Sequence, residues 1–291
     1  MSRVPVTYLF DYEHCDDLTR PYIMQEFADN GAENLVLSDT LIAEILQKPY
    51  FADTLRRDLE STGMRFVDAH APFGIYQDLN VPVPELRPNM LERMQLALRI
   101  AADLGVDTIA VHVGNSRPEY FSEYSLEQHH EAICNSIDTL LPLAEKLQIC
   151  LAIENIWFPT NTAEKLLDII ARFPSPYLGV CFDTGHANLM SKDRGLSESA
   201  PINAWKAYGE VAYDDQILEK LLPHIVTCHL HDNDGSIDQH LLPGDGNVDW
   251  KYCIAALKKA PRLKYLQSEI IPVRCKVSIA RLCRIFNALL K

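Results

Sequence analysis

The chain has 291 residues, 47% hydrophobic and 23% charged, ordinary globular values at a length that α/β barrels reach as one domain. A net charge of −13 without any basic stripe argues against a nucleic-acid partner, because phosphate affinity comes mainly from clustered Lys and Arg. No apolar run nears the roughly 18–20 residues of a membrane span, and the N-terminal residues lack a signal peptide's long apolar centre, so a soluble, cytoplasmic protein is expected.

In chain order, residues 5–10 read as a first strand, followed by a helix over 22–30 that stops at Gly31. Residues 34–37 give a second strand, 51–61 a helix, and 65–69 a third strand with His70 at its end. Four prolines exclude regular helix from 72–88 and make it a long loop. Residues 89–104 are the clearest helix, with Leu91, Met94, Leu98 and Ala101 on one face and Gly105 closing it. A strand over 108–113 carries His112, a helix covers 126–147, and a strand over 149–153 leads to Glu154. Then come a helix over 162–173, a strand over 178–182 leading to Asp183, an irregular stretch, and a helix over 216–222. The last units are a strand over 225–230, a helix over 250–259, a strand over 263–267 before Glu269, and a helix over 277–290.

Eight βα units without a linker predict a closed (β/α)8 TIM barrel, with residues 1–291 as a single domain. The competing doubly wound sheet lacks its Gly-rich phosphate fingerprint after strand one. In a barrel all strand ends meet on one face, so His70, His112, Glu154, Asp183, His229 and Glu269 are expected to share one pocket. The segment from His229 to His240 adds His231, Asp232, Asp238 and His240 within a dozen residues. Asp183 with His186, and Asp238 with His240, offer mixed O/N donors that suit zinc, manganese, iron or cobalt better than calcium. Each pair alone is weak; their joint placement at strand ends carries the reading.

Other positions are read more plainly. Eight cysteines with no C-x-x-C pair fit reduced core thiols. His129 and His130, flanked by Glu127 and Glu131, read as surface residues, and His14 as either a substrate contact or solvent-exposed. His231 reads as substrate-binding or as a support for the ligands, and Asp232 either orients an imidazole or begins the loop. The 243–247 turn reads as a plain connection. The aromatic-bearing loops 72–88 and 190–215 serve as lids or as contacts in a homo-oligomer. Arg117 and Arg274 are either clamps for a phosphate or carboxylate or ordinary surface residues.

Taken together, His70-Ala71-Pro72, Val111-His112-Val113-Gly114, Ile153-Glu154-Asn155, Phe182-Asp183-Thr184-Gly185-His186-Ala187, His229-Leu230-His231-Asp232, Asp238-Gln239-His240 and Ser268-Glu269-Ile270 resemble the xylose isomerase-like TIM barrels. That superfamily holds sugar isomerases and epimerases together with endonuclease IV. The epimerase resemblance implies one divalent ion held by Glu154, Asp183, His229 and Glu269, with Glu154 and Glu269 as the acid/base pair acting through an enediolate. The endonuclease resemblance implies that His70, His112, His186, Asp238 and His240 join them around three zinc ions that attack a phosphodiester. The chain departs from the endonuclease pattern: Ala71-Pro72-Phe73-Gly74 follows His70, Gly185 precedes His186 where that pattern has Cys, and His231 stands in place of Asn. The resemblance therefore implies first a metal-dependent isomerase or epimerase of a small sugar, sugar phosphate or keto-polyol, using one to three Zn, Mn, Mg or Co ions. A zinc-cluster phosphodiesterase is the alternative, and a sugar- or metal-binding sensor the non-enzymatic one. Substrate-binding roles fall to His231, Asp232 and Arg274.

Overall fold

The computed structural model describes residues 4–11, 15–115, 118–121 and 123–290, so His14 and Arg117 lie outside the described residues. Eight strands, β1 (Val6–Tyr8), β2 (Asn34–Leu37), β3 (Arg65–His70), β4 (Thr108–Val111), β5 (Cys150–Glu154), β6 (Leu178–Asp183), β7 (Ile225–Leu230) and β8 (Leu266–Ser268), pair in sequence order. Every pair is parallel, and β8 closes onto β1 through Val6 with Leu266, Thr7 with Gln267, and Tyr8 with Ser268. The expected TIM barrel is the fold.

Around it run α1 (Arg20–Asp29), α2 (Asp39–Gln47), α3 (Phe51–Thr62), α4 (Arg87–Asp103), α5 (Pro118–Phe121), α6 (Leu126–Leu147), α7 (Ala163–Arg172), α8 (Thr184–Met190), α9 (Ala200–Trp205), α10 (Ile217–Leu221), α11 (Trp250–Leu257) and α12 (Ile279–Leu289). Side-chain oxygens satisfy the first free N–H groups of several: Ser125 and Gln128 form a capping box on α6, and Ser38, Thr162 and Ser278 cap α2, α7 and α12. Four helices, α2, α5, α8 and α9, lie outside the stretches that the sequence marks as helical. Each is short, and α2, α8 and α9 start at a capping Ser38, Asp183 and Ser199. Among the described residues, no helix is long and apolar enough to cross a membrane.

Strand pleating decides which residues reach the site. Ile109, Val111, Leu151, Ile153, Val180, Phe182, Cys228 and Leu230 pack in the main core beneath the helices. Their neighbours Ala110, Cys150, Ala152 and Cys181 form, with Val226, a separate cluster inside the barrel. Because side chains alternate with period two, Glu154, Asp183 and His229 must also point inward, at the C-terminal rim.

Lower in the barrel, Asp68 of β3 accepts a hydrogen bond from Thr227 Oγ1 of β7 at 2.8 Å and is fully buried. Burial, only partly opposed by Thr227 and His229, pushes its carboxyl from 3.8 up to about 6. The folded chain therefore holds this proton over a range where the unfolded chain has released it. That contribution to stability is complete below about pH 4 and is lost as pH rises through 6. Asp68→Asn should gain stability relative to the native chain across that interval, on the order of 3 kcal/mol at its upper end. Urea unfolding at several pH values measures it, and a pH-independent difference would contradict the account.

One expectation fails here. His129 and His130 are buried, not on the surface. On a helix, adjacent residues lie about 100° apart, so the exposed Glu127 and Glu131 say little about their neighbours. His129 Nδ1 lies 3.2 Å from Asn80 Nδ2 of the proline-rich loop, and His130 Nε2 lies 2.6 Å from Asp168 Oδ2 on α7. All eight cysteines are free thiols, six of them buried.

Candidate metal centre

The strand ends open into a cavity of about 340 Å³ whose lining includes His70, His112, Glu154, His186, Asp238, His240 and Glu269. Glu154 is its hub. Its Oε2 lies 3.6 Å from His70 Nε2 and 3.4 Å from His112 Nε2, while its Oε1 lies 3.1 Å from His186 Nδ1 and 3.4 Å from His229 Nδ1. His229 Nδ1 also stands 3.6 Å from Asp183 Oδ2 and 3.4 Å from Glu269 Oε1. On the far side, Asp238 Oδ2 lies 3.4 Å from His186 Nε2 and 3.0 Å from His240 Nε2. All nine donors expected from the sequence are thus brought together.

Three of the imidazoles, those of His70, His186 and His240, have Nδ1 against a backbone carbonyl, the kind of contact that fixes ring orientation in a ligand histidine. Nδ1 of His70 lies 2.8 Å from the Ala71 carbonyl, that of His186 is 3.0 Å from the Asn155 carbonyl, and that of His240 is 3.0 Å from the Glu269 carbonyl. Asp78 stands 3.9 Å from His112 Nδ1 and is itself fixed by the Asn115 side-chain amide at 2.7 Å. Asp183 serves twice: its Oδ1 accepts from the His186 N–H at 2.7 Å, capping α8, and its Oδ2 lies 3.6 Å from His229 Nδ1 and 3.0 Å from His231 Nε2. The strand-to-loop turn expected after Asp183 is therefore a strand-to-helix turn. Asn155 ties β5 to β6, accepting from the Asp183 N–H at 2.9 Å and donating to its carbonyl at 3.0 Å.

Charge is balanced between neighbours. Burial would raise the Glu154 carboxyl, but His229 and His112 outweigh it and hold it well below the usual range. Asp183 and Asp238 are lowered in the same way against burial, chiefly by His186. Burial opposes protonation of the facing imidazoles, yet Asp183 and Asp238 raise His186 well above its ordinary value, and Asp238 and Glu269 raise His240 to about 9. Among the described residues, Glu154 Oε2, both His229 nitrogens, His231 Nδ1 and Asp238 Oδ1 are buried without a hydrogen-bond partner. Such atoms cost roughly 1–3 kcal/mol each when left unpaired. Sets such as His70–His112–Glu154 and Asp183–His186–His231, with donor atoms within 4.8 Å of one another, fit a divalent cation that would satisfy them. Cys181 stands in one such set with Glu154 and His229, although burial pushes its thiol up.

Asp232 is placed elsewhere. Fully buried, it accepts from the N–H groups of Asn233, Gly244 and Val248 at 2.9, 2.9 and 3.0 Å and from Trp250 Nε1 at 2.7 Å. The structure therefore does not bring it to the cavity as a substrate contact. It is the root of the loop that returns Asp238 and His240 to the barrel mouth. Asp232→Ala should cost at least about 3 kcal/mol, because several buried donors lose their acceptor. Urea unfolding together with faster proteolysis between 233 and 248 would register it; unchanged stability would refute it.

Arg274 lines the cavity, as do Phe73 and Trp157. The Phe73 ring lies 4.4 Å from that of His112, which places the proline-rich loop over the site, and Trp157 packs edge-on to His186 at 4.8 Å. Asp78, Asn155 and Trp157 were not singled out by sequence. Adjacency to Glu154 was the available signal for Asn155; Asp78 gave none, since a loop of irregular backbone has no periodicity to read.

The profile of the family described as xylose isomerase-like TIM barrel matches residues 25–266. The uncharacterized protein MJ1311 of Methanocaldococcus jannaschii is 30% identical over 201 residues, 65% of this chain and 59% of that one. The L-ribulose-5-phosphate 3-epimerase UlaE of Salmonella paratyphi C is 24% identical over 179 residues, 60% of this chain and 54% of that one. The matches thus span 54% to 63% of the curated relatives' own lengths. A solved structure of a D-tagatose 3-epimerase-like protein has a TM-score of 0.66 at 22% identity, covering 90% of this chain and 91% of that one, which shows a common fold. The chain belongs to the xylose isomerase-like TIM barrel family.

Proposed function

We propose that the protein is a divalent-metal-dependent isomerase or epimerase of a small sugar, sugar phosphate or keto-polyol. The observation that carries this reading is the disposition of Glu154 and Glu269, on β5 and just beyond β8. They face each other across His229, each 3.4 Å from its Nδ1, in a cavity of small-molecule size. The epimerase named among the relatives supports the same class.

One carboxylate takes the proton from the carbon beside the substrate carbonyl, and the other returns a proton to the opposite face of the same carbon. Glu154 is ready as the base because its neighbours keep it ionised. Glu154, Asp183, His229 and Glu269 would hold a divalent cation, which when bound would stabilise the negative charge that develops on the substrate oxygens. Phe73, Trp157 and Phe158 wall the cavity in which the two carboxylates meet the substrate.

The test is deuterium incorporation, followed by NMR, when metal-loaded protein meets a panel of ketoses, aldoses and their phosphates in D₂O. Exchange at one carbon with conversion to the isomer is expected; no exchange across the panel overturns the reading. Arg274 is the one Lys or Arg among the described lining residues and is assigned to a phosphate or carboxylate of the substrate. Arg274→Ala should raise KM for a phosphorylated substrate by about 10-fold or more, the loss of a charge-assisted contact, with kcat little changed. An unchanged KM removes that assignment.

The convergence of nine donors favours a second reading, a zinc-cluster phosphodiesterase. Abasic-site duplex and simple phosphodiesters test it directly, and absence of cleavage at high enzyme concentration rules it out. Turnover of either kind excludes a purely sensing role.

A further inference from the structure

Two departures from the endonuclease pattern, Gly185 and His231, prove to be one feature. A Cβ built on Gly185 would stand 2.0 Å from His231 Cε1 and 2.5 Å from its Nδ1, so the imidazole occupies space that only glycine leaves open. His231 is fully buried, and its backbone is pinned by Thr184, whose hydroxyl donates to the His231 carbonyl at 2.8 Å and accepts from its N–H at 3.1 Å. The ring stacks on His240 at 4.0 Å with planes 10° apart. Its Nδ1 has no hydrogen-bond partner among the described residues, so its polar contacts all run inward through Nε2. That atom lies 3.0 Å from Asp183 Oδ2, 3.7 Å from Asp238 Oδ1 and 3.7 Å from Glu269 Oε2.

We infer that His231 is a metal ligand, the tenth donor of the centre, and that it completes a subsite with His186, Asp238 and His240. The inference rests on the metal centre proposed above. Donor atoms of His231 lie within 4.8 Å of those of Asp183 and His186 and, in a second set, of those of His240 and Glu269, and its Nε2 is 3.7 Å from Asp238 Oδ1. Asp238 Oδ2 already faces both His186 and His240. With three protein donors such a subsite keeps an open position; with His231 it has four, the closed arrangement of a structural ion. An ion held there secures the returning loop against the barrel and leaves the chemistry to the subsite around Glu154 and Glu269. The glycine at 185 is then the positioning residue that admits the fourth ligand.

The test counts ions by elemental analysis after metal loading and gel filtration, and records the visible spectrum of the cobalt-loaded protein. The native chain is expected to hold at least two ions per chain. His231→Asn should lose one equivalent and change the cobalt spectrum. Gly185→Ala should reproduce that loss by displacing the ring, yet have no further effect in the His231→Asn background. Melting of the metal-free variants checks folding, and His231→Asn, which inserts no new bulk, carries the test should Gly185→Ala not fold. Equal ion counts and spectra in the native chain and His231→Asn overturn the inference. A native chain holding one ion overturns it too, while leaving the isomerase reading intact. A native chain that holds no ion overturns both.

Discussion

Glu154→Gln and Glu269→Gln are each expected to abolish solvent-deuterium exchange at the reacting carbon and to lower kcat by about 10²–10⁴-fold, the usual worth of a positioned acid or base. Glutamine keeps the size of the side chain but cannot accept the proton. At position 154 the exchange is harshest, because the carboxylate is 1% exposed and stands within 3.6 Å of four imidazoles. An amide there points N–H toward donors that need an acceptor. Ion content is measured on the same samples, since both residues also belong to the donor set. Undiminished exchange in either variant, with its ions in place, removes the two-carboxylate mechanism.

Stripping divalent cations with a chelator is the second large perturbation. It should eliminate activity, with restoration by Zn, Mn or Co, and should lower thermal stability. A ligand at 100 times its Kd stabilises the folded chain by about 2.7 kcal/mol. The pH dependence has a definite sign. In the metal-free chain His240 is raised to about 9, and His186 also stands well above its ordinary value, burial being overcome by the facing acids. Their stabilising charge is fully present below about pH 6.5 and is lost as pH rises through 9. Glu154, Asp183 and Asp238 are lowered, so their contribution persists above the ordinary carboxylate range and is lost only in strong acid. Metal must displace the imidazole protons, so its affinity rises with pH over the same interval. The gap in melting temperature between loaded and stripped protein should therefore widen from pH 6 to pH 9; a constant gap would show that these histidines do not bind the ion.

The barrel and its donors were legible because both depend on local period. Strand alternation alone aims Glu154, Asp183 and His229 inward, and chain order alone puts their strands side by side. Features set by distant neighbours were not legible. Space for His231 depends on a missing Cβ at Gly185, 46 positions away in the chain. Asp232 was split between two readings until its partners on Gly244, Val248 and Trp250 were visible. His129 and His130 are buried although the exposed Glu127 and Glu131 flank them, because residues adjacent in a helix lie about 100° apart and do not share a face. The short α2, α8 and α9 were missed because their capping residues stand where connections were expected, and in Asp183 the cap is also a donor.

The two-residue period of the strands restricts how this protein can change. Removing one residue ahead of Ile153 within β5 would turn Glu154 outward beneath the helices and bring Asn155 into its place among the donors. Length variation disturbs the donors least past the rim, as in the stretch between α8 and α10. The rim can change in length there while the donors stay in register, so the barrel works as a fixed reading frame beneath a variable mouth.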